Sequence, residues 1–316
     1  LVFPTVQDGD GDGDGDGGGR SPVARLAVWQ GAAANLEHAP DGSVHNITID
    51  PPYYDNVMYA ELSDFFYVWL KRSVGHLYPE FFRDYLTDKD REAVANPARF
   101  GAVGRSKRAL AEQDYERKME AIFRECARAL RDDVAITNSS PHKRVEAWNT
   151  LASALINAGF SVEASWPVHT ESEHSLHQAK KNAAASTILL VCRKRAPSAE
   201  PAWWDDIRGR VARVAREKAA EFHAQGVRGA DLYISTFGPI LAVISAHWPV
   251  LTSQVDKRTG EPVPLRPETA LDLAREEVKA LRKRGLLLGR DIEFDPITDW
   301  YLMVCDTFKA AEFPYD

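Results

Sequence analysis

The sequence has few cysteines and no long apolar run. Its 316 residues include only three cysteines, at Cys126, Cys192 and Cys305. Their wide spacing excludes a cysteine-based zinc ribbon within this sequence and predicts a reducing, cytoplasmic location. No apolar stretch approaches the roughly 20 residues that span a bilayer, and the first residues show no signal-peptide pattern.

Positive charge is also in short supply. The chain carries 39 Lys and Arg against 46 Asp and Glu, a formal net charge of −7. This balance argues against a general nucleic-acid binder, so any contact with DNA must come from local basic patches. The length allows one large domain or two small ones, and either can bury a substantial core.

Residues 1–24 are poor in apolar side chains and rich in alternating Asp and Gly. Such a segment cannot bury enough surface to offset its ordering entropy, so we predict a flexible linker. A calcium-binding loop is the alternative, because Asp8, Asp10 and Asp12 match the first half of such a loop. Its twelfth position, however, is Gly19 where a bidentate Glu is required. The linker interpretation is therefore favoured.

The tetrapeptide Asp50-Pro51-Pro52-Tyr53 carries the clearest functional signal. It follows residues 44–49, an apolar run that predicts a short strand. The Asp50 carboxylate can accept one hydrogen of an exocyclic amine and the Pro51 carbonyl the other, while two consecutive rings fix φ and keep the backbone rigid. Tyr53 offers a face on which a base can stack. An ordinary strand-to-loop exit is the alternative, since Asp and Pro are common turn residues.

Further substrate-binding candidates lie downstream of the tetrapeptide. Tyr54 and Asn56 follow it closely, and we predict that they contact a flipped base. The alternative, equally consistent with the sequence, is that they only complete the loop and contact no ligand. Arg105, Lys107 and Arg108 form a basic stretch between predicted helices. Contact with phosphate is predicted there, and a solvated basic loop is the alternative.

A histidine cluster raises the question of a metal site. His169, His174 and His177 lie close in sequence to Glu171 and Glu173. Their spacing does not match the His-Glu-x-x-His order of zinc metalloproteases. We therefore predict that the chain binds no metal.

Alternating apolar patterns predict an α/β order of elements. The segment Tyr59–Arg72 places Phe65, Phe66 and Trp69 on a helical stripe, which is more typical of a core-facing helix than of a stacking platform for bases. Gly159 is predicted to end a helix. Strands are predicted at Arg25–Gln30, His45–Ile49, Asp133–Thr137, Ser161–Trp166 and Thr187–Cys192, and further helices at Glu112–Leu130, Val145–Ala158, Trp203–Gln225, Ala230–Ser245 and Pro267–Arg284.

Together with the tetrapeptide, several segments resemble the DNA methyltransferases that act on adenine N6 or cytosine N4. More narrowly, the chain from about Arg25 onward is similar to the long bacterial and archaeal adenine-specific DNA methylases with a domain of unknown function and a zinc ribbon, some of which are linked to anti-phage systems. The segments that carry this similarity are Asp50–Val57, Tyr59–Arg72, Glu146–Trp148, Ala158–Phe160, Trp166–Glu171, Ala185–Arg193, Gly229–Leu232, Phe237–Pro239 and Trp248–Val250.

The resemblance implies methyl transfer from S-adenosylmethionine to an exocyclic amino group of a flipped DNA base, with adenine N6 favoured. It implies a partial Rossmann-like methyltransferase sheet over residues 25–195, with a target-recognition insertion at 72–111, and a mostly helical extension over 196–316. Asp50 is then expected at the carboxyl end of an internal parallel strand. A methyltransferase acting on RNA or protein is the alternative, although those that modify a glutamine amide typically begin the tetrapeptide with Asn.

The cofactor site implied by the resemblance is incomplete. Only about two dozen residues separate the predicted linker from Asp50, fewer than the roughly 30 that a strand, a crossover helix and a second strand require. Gly31 and Ala32 are the remaining cofactor-binding candidates, and Ala32 replaces an acid that is typical of the relatives.

A glycine-rich turn is not evident downstream of Asp50 either. Residues 301–311 predict a strand followed by Asp-x-Phe, but the glycines are missing. Because the first residue is Leu1 and not Met, we expect a fragment whose missing half is supplied by a longer parent or a neighbouring chain. A non-catalytic remnant that binds DNA or a partner is the alternative.

Overall fold

The computed structural model shows a mixed α/β protein. Helices and strands are interspersed along the chain, and the largest sheet is mixed. The structure describes residues 2–5, 25–29, 31–52, 54–55, 57–101, 106–140, 145–169, 186–197, 200–287, 290 and 292–308.

Seven α-helices and nine strands are formed by these residues. No helix in the described ranges is both long and apolar enough to cross a bilayer. The helices are α1 (Tyr59–Val74), α2 (Lys107–Ala129), α3 (Val145–Asn157), α4 (Trp204–Ala224), α5 (Gly229–Ser245), α6 (Pro267–Leu286) and α7 (Pro296–Phe308). The strands are β1 (Val2–Thr5), β2 (Arg25–Val28), β3 (Ile47–Ile49), β4 (Ala135–Ser140), β5 (Phe160–His169), β6 (Ser186–Lys194), β7 (Ala202–Trp203), β8 (Val250–Val255) and β9 (Pro262–Pro264).

The central sheet has four strands in the order β3-β4-β6-β5. β3 and β4 are parallel, so the chain between them must cross over, and it does so through α1 and α2. β6 runs antiparallel to both β4 and β5. The predictions that Asp50 follows a parallel strand and that the strands near Asp133 and Thr187 share its sheet are confirmed. The prediction of an internal strand is wrong for the described sheet, because β3 lies at its edge.

The predicted strand at Arg25 does not join the central sheet. β2 pairs antiparallel with β1, with Thr5 opposite Arg25. The segment predicted as a linker therefore begins with a short strand, and residues 6–24, including the Asp-Gly repeat, lie outside the described residues. The C-terminal region also holds strands that were not predicted, since β7, β8 and β9 form a second small sheet.

One apolar cluster joins the central sheet to α2, α3, α4, α5 and α6. α2 contributes a stripe that includes Tyr115, Met119 and Phe123, spaced one turn apart as an amphipathic helix requires. Ser106 caps this helix by accepting a hydrogen bond from the backbone N–H of Ala109 at 3.1 Å. The same cluster contains buried residues of the sheet and of the C-terminal helices, among them Ile47, Ile136, Leu190, Val211, Phe237, Leu241 and Leu271.

The residues near position 301 form a helix, so the prediction of a strand followed by a turn there is wrong. Asp295 caps α7, because its Oδ1 accepts hydrogen bonds from the backbone N–H groups of Ile297 at 3.0 Å and Thr298 at 3.1 Å. The apolar residues Ile297, Trp300 and Tyr301 recur at helical spacing. The period and the cap together outweigh the apolar run that indicated a strand.

The prediction that the α1 stripe faces the core is also wrong. No residue of α1 is buried, and Phe65, Phe66 and Trp69 are 66%, 64% and 58% exposed. A helical apolar period indicates a face suited to burial, but it does not identify what covers that face. In the described chain, no element covers it.

Gly238 of α5 lies directly against β5 of the central sheet. A Cβ atom at this position would overlap the side chain of Ser165 in β5. We predict that Gly238→Ala lowers the free energy of unfolding by about 1–3 kcal/mol, the usual cost of overpacking. Urea denaturation measures this change.

Gly209 in α4 provides the matched control, because a Cβ atom there meets no other atom within 4 Å. Gly209→Ala should be neutral or stabilising by up to about 1 kcal/mol, as expected of Gly to Ala in an exposed helix. Adding Ser165→Gly to Gly238→Ala should recover part of the loss. Equal stability of the two Ala variants would contradict the close approach of α5 to β5.

Candidate functional site

The tetrapeptide leaves the central sheet at the end of β3. Ile49 lies in register with Asn138 of β4, and Ile47 is buried against Ile136 in the common core. Because strand side chains alternate, burial of Ile47 fixes which face of β3 points inward. Asp50 follows as an exposed residue and Pro51 is buried. The carboxylate is thus placed at the carboxyl edge of a parallel pair, where ligands bind in open α/β sheets.

The carbonyl of Pro52 fixes the turn that follows. It accepts a hydrogen bond from the backbone N–H of Tyr54 at 2.8 Å and another from the hydroxyl of Tyr115 in α2 at 3.1 Å. The rings of Tyr54 and Tyr115 meet edge to face, with centroids 5.1 Å apart. Tyr54 has a φ of 43°, in the left-handed region that residues other than glycine rarely adopt. Surrounding contacts must hold such a conformation in place.

The Pro51 carbonyl differs from that of Pro52. Among the described residues, no group donates a hydrogen bond to the Pro51 oxygen. A carbonyl acceptor therefore remains next to the Asp50 carboxylate. Asp50 is exposed and Pro51 is buried, and the joint role of their two acceptors toward one amine stays a prediction.

Tyr54 supports the turn from inside the protein. It is 2% exposed, so the prediction that it contacts the base is not supported, and its burial assigns it to the core. Burial raises the pKa of the Tyr54 hydroxyl far above its usual value, and the negative charge of Glu112 raises it further. Burial likewise raises the pKa of Tyr115. Both phenols therefore stay neutral.

The start of α2 brings basic side chains to the same region. Lys107 and Arg108 are exposed, and Arg108 donates from Nε to Glu112 at 3.1 Å. The Glu112 carboxylate in turn lies near the Tyr54 hydroxyl, whose pKa its charge raises. Arg108 is thus connected to the turn after Asp50, and its neighbour Lys107 lies at the same helix end. The first turn of α2 therefore presents cations near the tetrapeptide.

Gly31 and Ala32 line a separate cavity of about 430 Å³. The rings of Trp29 and His38 stack there, with centroids 4.2 Å apart and planes at 13°. The volume lies within the range of small-molecule pockets, and the wall combines aromatic faces with charged groups. The lining residues are Trp29, Gly31, Ala32, Ala33, Asn35, Leu36, Glu37, His38 and Arg91.

Of the residues that line this cavity, only Gly31 and Ala32 were predicted from the sequence as site residues. Trp29 is an aromatic residue near the end of the predicted strand Arg25–Gln30, and this position was a signal that could have singled it out. Nothing local connects Arg91 to the cavity, because it belongs to a distant loop and only the fold brings it to Gly31.

Several predicted residues lie outside the described part of the chain. Tyr53, Asn56 and Arg105 are among them, as are His174 and His177, so their roles stay predictions. Within the described ranges, no group of three or more His, Cys, Asp or Glu is arranged to hold a metal ion. The glycine-rich stretch 8–19, which follows β1 in the sequence, lies outside the described residues.

Comparison with known proteins gives no match for this chain, whether with protein-family models, with curated proteins or with solved structures. The chemistry of the site is therefore inferred from its own residues. These are an exposed carboxylate, an adjacent carbonyl acceptor and a turn fixed from α2.

The hydroxyl of Tyr115 should hold the turn in place. Tyr115→Phe keeps the ring contact with Tyr54 but removes the donor to Pro52, so we predict a loss of about 0.5–1.5 kcal/mol in the free energy of unfolding. The backbone N–H of Tyr54 should also exchange faster with solvent, because its acceptor becomes less fixed. Denaturation and hydrogen–deuterium exchange of the peptide spanning residues 49–58 measure the two effects.

Tyr67 supplies the control, since its hydroxyl donates to the Asp84 carbonyl at 2.8 Å at an exposed position. Tyr67→Phe should change stability little, because water can replace an exposed partner. Unchanged exchange at Tyr54 in Tyr115→Phe would show that the hydroxyl does not organise the turn.

Proposed function

We propose that this chain is part of an S-adenosylmethionine-dependent DNA methyltransferase that acts on an exocyclic amino group, with adenine N6 as the favoured target. The observation that carries the proposal is the position of Asp50 at the carboxyl edge of β3, beside a carbonyl acceptor and before a fixed turn. The parallel pair β3–β4 with its helical crossover supports a partial Rossmann-like sheet. The preference for adenine rests on the sequence resemblance alone.

The two acceptors account for the chemistry. The lone pair of an exocyclic amine is delocalised into the base, so the nitrogen is a poor nucleophile. Hydrogen bonds from its two N–H groups to the Asp50 carboxylate and the Pro51 carbonyl favour the tetrahedral nitrogen of the transition state. This is electrostatic preorganisation. Asp50 or a water molecule accepts the proton as positive charge develops on nitrogen.

The base must leave the duplex to reach these acceptors, because its amine is paired inside the helix. Stacking on Tyr53 would hold the flipped base, at roughly 1–3 kcal/mol per stacked base. Lys107 and Arg108 are exposed, and in this proposal they contact the phosphates that flank the base. We also propose a cytoplasmic location, supported by the three free cysteines.

The cavity at Gly31 and Ala32 fits part of the cofactor. The Trp29 ring offers an aromatic face for adenine, and the Glu37 carboxylate is an acceptor suited to ribose hydroxyls. S-adenosylmethionine, when bound, supplies the electrophilic methyl group. No glycine-rich turn accompanies the cavity in the described residues, so we propose that a longer parent or a neighbouring chain provides the remainder of the cofactor site.

A non-catalytic remnant that binds DNA or a partner is the second candidate. The observation that favours it is that no glycine-rich turn lines the cavity at Gly31 and Ala32 among the described residues. A methyltransferase acting on RNA or protein is a weaker candidate, since its tetrapeptide would typically begin with Asn where this chain has Asp50.

We predict that Asp50→Ala abolishes DNA methylation when the missing half is present, in the parent protein or in trans. Loss of one preorganised acceptor should lower the rate by about 10²–10³, by analogy with a lost oxyanion-hole donor. Binding of S-adenosylmethionine should stay largely intact, because the carboxylate acts on the target amine. Incorporation of tritiated methyl groups into DNA at saturating cofactor measures the rate.

Asp206→Ala serves as the control for this experiment, since Asp206 is an exposed carboxylate in the first turn of α4. It should leave the rate unchanged. Tyr53→Ala should weaken base capture more than Tyr53→Phe, because the ring face does the stacking. If the Asp50→Ala variant incorporated methyl groups into DNA at the wild-type rate, the tetrapeptide would be an ordinary strand-to-loop exit without a catalytic role.

The incomplete cofactor site leads to a separate prediction. The 316-residue chain alone should bind S-adenosylmethionine weakly, with a Kd above about 100 μM, which corresponds to less than roughly 5.5 kcal/mol of binding free energy. Isothermal titration calorimetry measures this, and Trp29→Ala should weaken any residual binding. A micromolar Kd for the isolated chain would show that its own residues complete the site.

A further inference from the structure

An exposed apolar surface lies on α1. Five side chains of this helix form a stripe at the spacing i, i+3, i+4, i+7 and i+8, and all are about half or more exposed. Single exposed apolar residues need no explanation, but a contiguous stripe on a helix marks an interaction surface. The members of this α1 stripe are Leu62, Phe65, Phe66, Trp69 and Leu70, which are 63%, 66%, 64%, 58% and 49% exposed.

The opposite face of α1 is attached to the rest of the protein. Glu92 accepts from the backbone N–H of Ala60 at 3.0 Å, and Asp64 forms an ion pair with Lys89 at 2.7 Å. Tyr67 and Lys71 donate to the Asp84 carbonyl. Residues 60, 64, 67 and 71 share one side of a helix with 3.6 residues per turn. The α1 stripe therefore points away from the protein's own body.

The charges beside the stripe are arranged symmetrically. Glu61 and Arg72 are both exposed and lie about three turns apart, on the same flank of the stripe. The stripe is centred near Phe66, midway between them. Glu61 accepts one hydrogen bond from Asn96 at 3.0 Å, and Arg72 lies over the Trp69 ring at 5.9 Å. The Glu61 carboxylate and the Arg72 guanidinium thus stay at the helix surface. They place a negative charge at one end of the α1 stripe and a positive charge at the other.

We propose that α1 pairs antiparallel with α1 of a second copy of this chain. A two-fold axis near Phe66 makes the surface self-complementary, as an isologous interface requires. In an antiparallel pair, the flank of one helix that carries Glu61 and Arg72 meets the same flank of the other helix. Glu61 of each copy therefore faces Arg72 of the other. A parallel pair would bring like charges to the same end. The charge pattern thus selects the second copy and its direction.

The size of the α1 stripe is sufficient for such a contact. A large aromatic side chain buries roughly 150–250 Å² when fully covered, so three half-exposed aromatics and two leucines offer about 500 Å² per copy. A symmetric pair then covers about 1,000 Å², the lower limit for a specific interface. Leu77, Tyr78 and Phe81, exposed by 61%, 50% and 49%, lie just beyond the helix and extend the same apolar segment.

Sedimentation equilibrium of the full 316-residue chain tests the pairing. Between about 1 and 100 μM, the mass should approach twice 35.2 kDa. Phe66→Lys should weaken dimerisation at least about tenfold, since it places a charge at the centre of the interface. Ile297→Lys is the control, because Ile297 is a 77% exposed apolar residue on α7, and it should leave the mass unchanged.

Charge reversal tests the direction of the helices. Glu61→Arg and Arg72→Glu should each weaken the dimer by about 3–10-fold, and the double variant should return to within about twofold of the original affinity. A monomer at all concentrations would overturn the proposal, as would a dimer insensitive to Phe66→Lys. Failure of the double variant to recover would overturn the antiparallel pairing. The proposed dimer would also be contradicted if the α1 stripe became covered only after DNA or another protein was added.

Discussion

The parallel pairing of β3 with β4 is the constraint on which the rest of the site depends. Burial of Ile47 and Ile136 in one core fixes the register, and the register places Asp50 at the carboxyl edge of the sheet. Because parallel strands require a crossover, the same pairing brings α2 over the end of β3. Tyr115 then reaches Pro52, and the turn after Asp50 is fixed from a helix more than 50 residues away. The sheet register thus positions both the carboxylate and the side chain that supports it.

Two helices in this crossover show similar apolar patterns with opposite outcomes. α2 buries its stripe, including Met119 and Phe123, in the common core, while α1 leaves Phe65 and Phe66 exposed. The difference lies in what surrounds each helix, since α1 is attached through polar contacts from residues 84–92 on its other face. An apolar helix face that remains uncovered carries a free-energy cost in water. This cost is the driving force for the association that we infer at α1.

The elements that sequence predicted well are those set by local periodicity. The helix at Tyr59 and the strand before Asp50 follow directly from apolar spacing, and both are confirmed. Burial of Tyr54 was not predictable, because it depends on an edge-to-face contact with Tyr115 and on a positive φ that no local pattern encodes. Arg91 reaches the cavity at Gly31 only through the fold. The α7 cap at Asp295 was readable from Asp-Pro-x-Thr, yet the apolar run that follows obscured it.

We propose that the acceptors at Asp50 and Pro51 direct a methyl group to an exocyclic amine of DNA. The most direct measurement is mass spectrometry of nucleosides from duplex DNA incubated with the complete enzyme and S-adenosylmethionine carrying a deuterated methyl group. The account predicts one labelled methyl group on an exocyclic nitrogen, with N6-methyladenine as the main product. Label on a ring carbon of cytosine, or on protein or RNA and not on DNA, would contradict it.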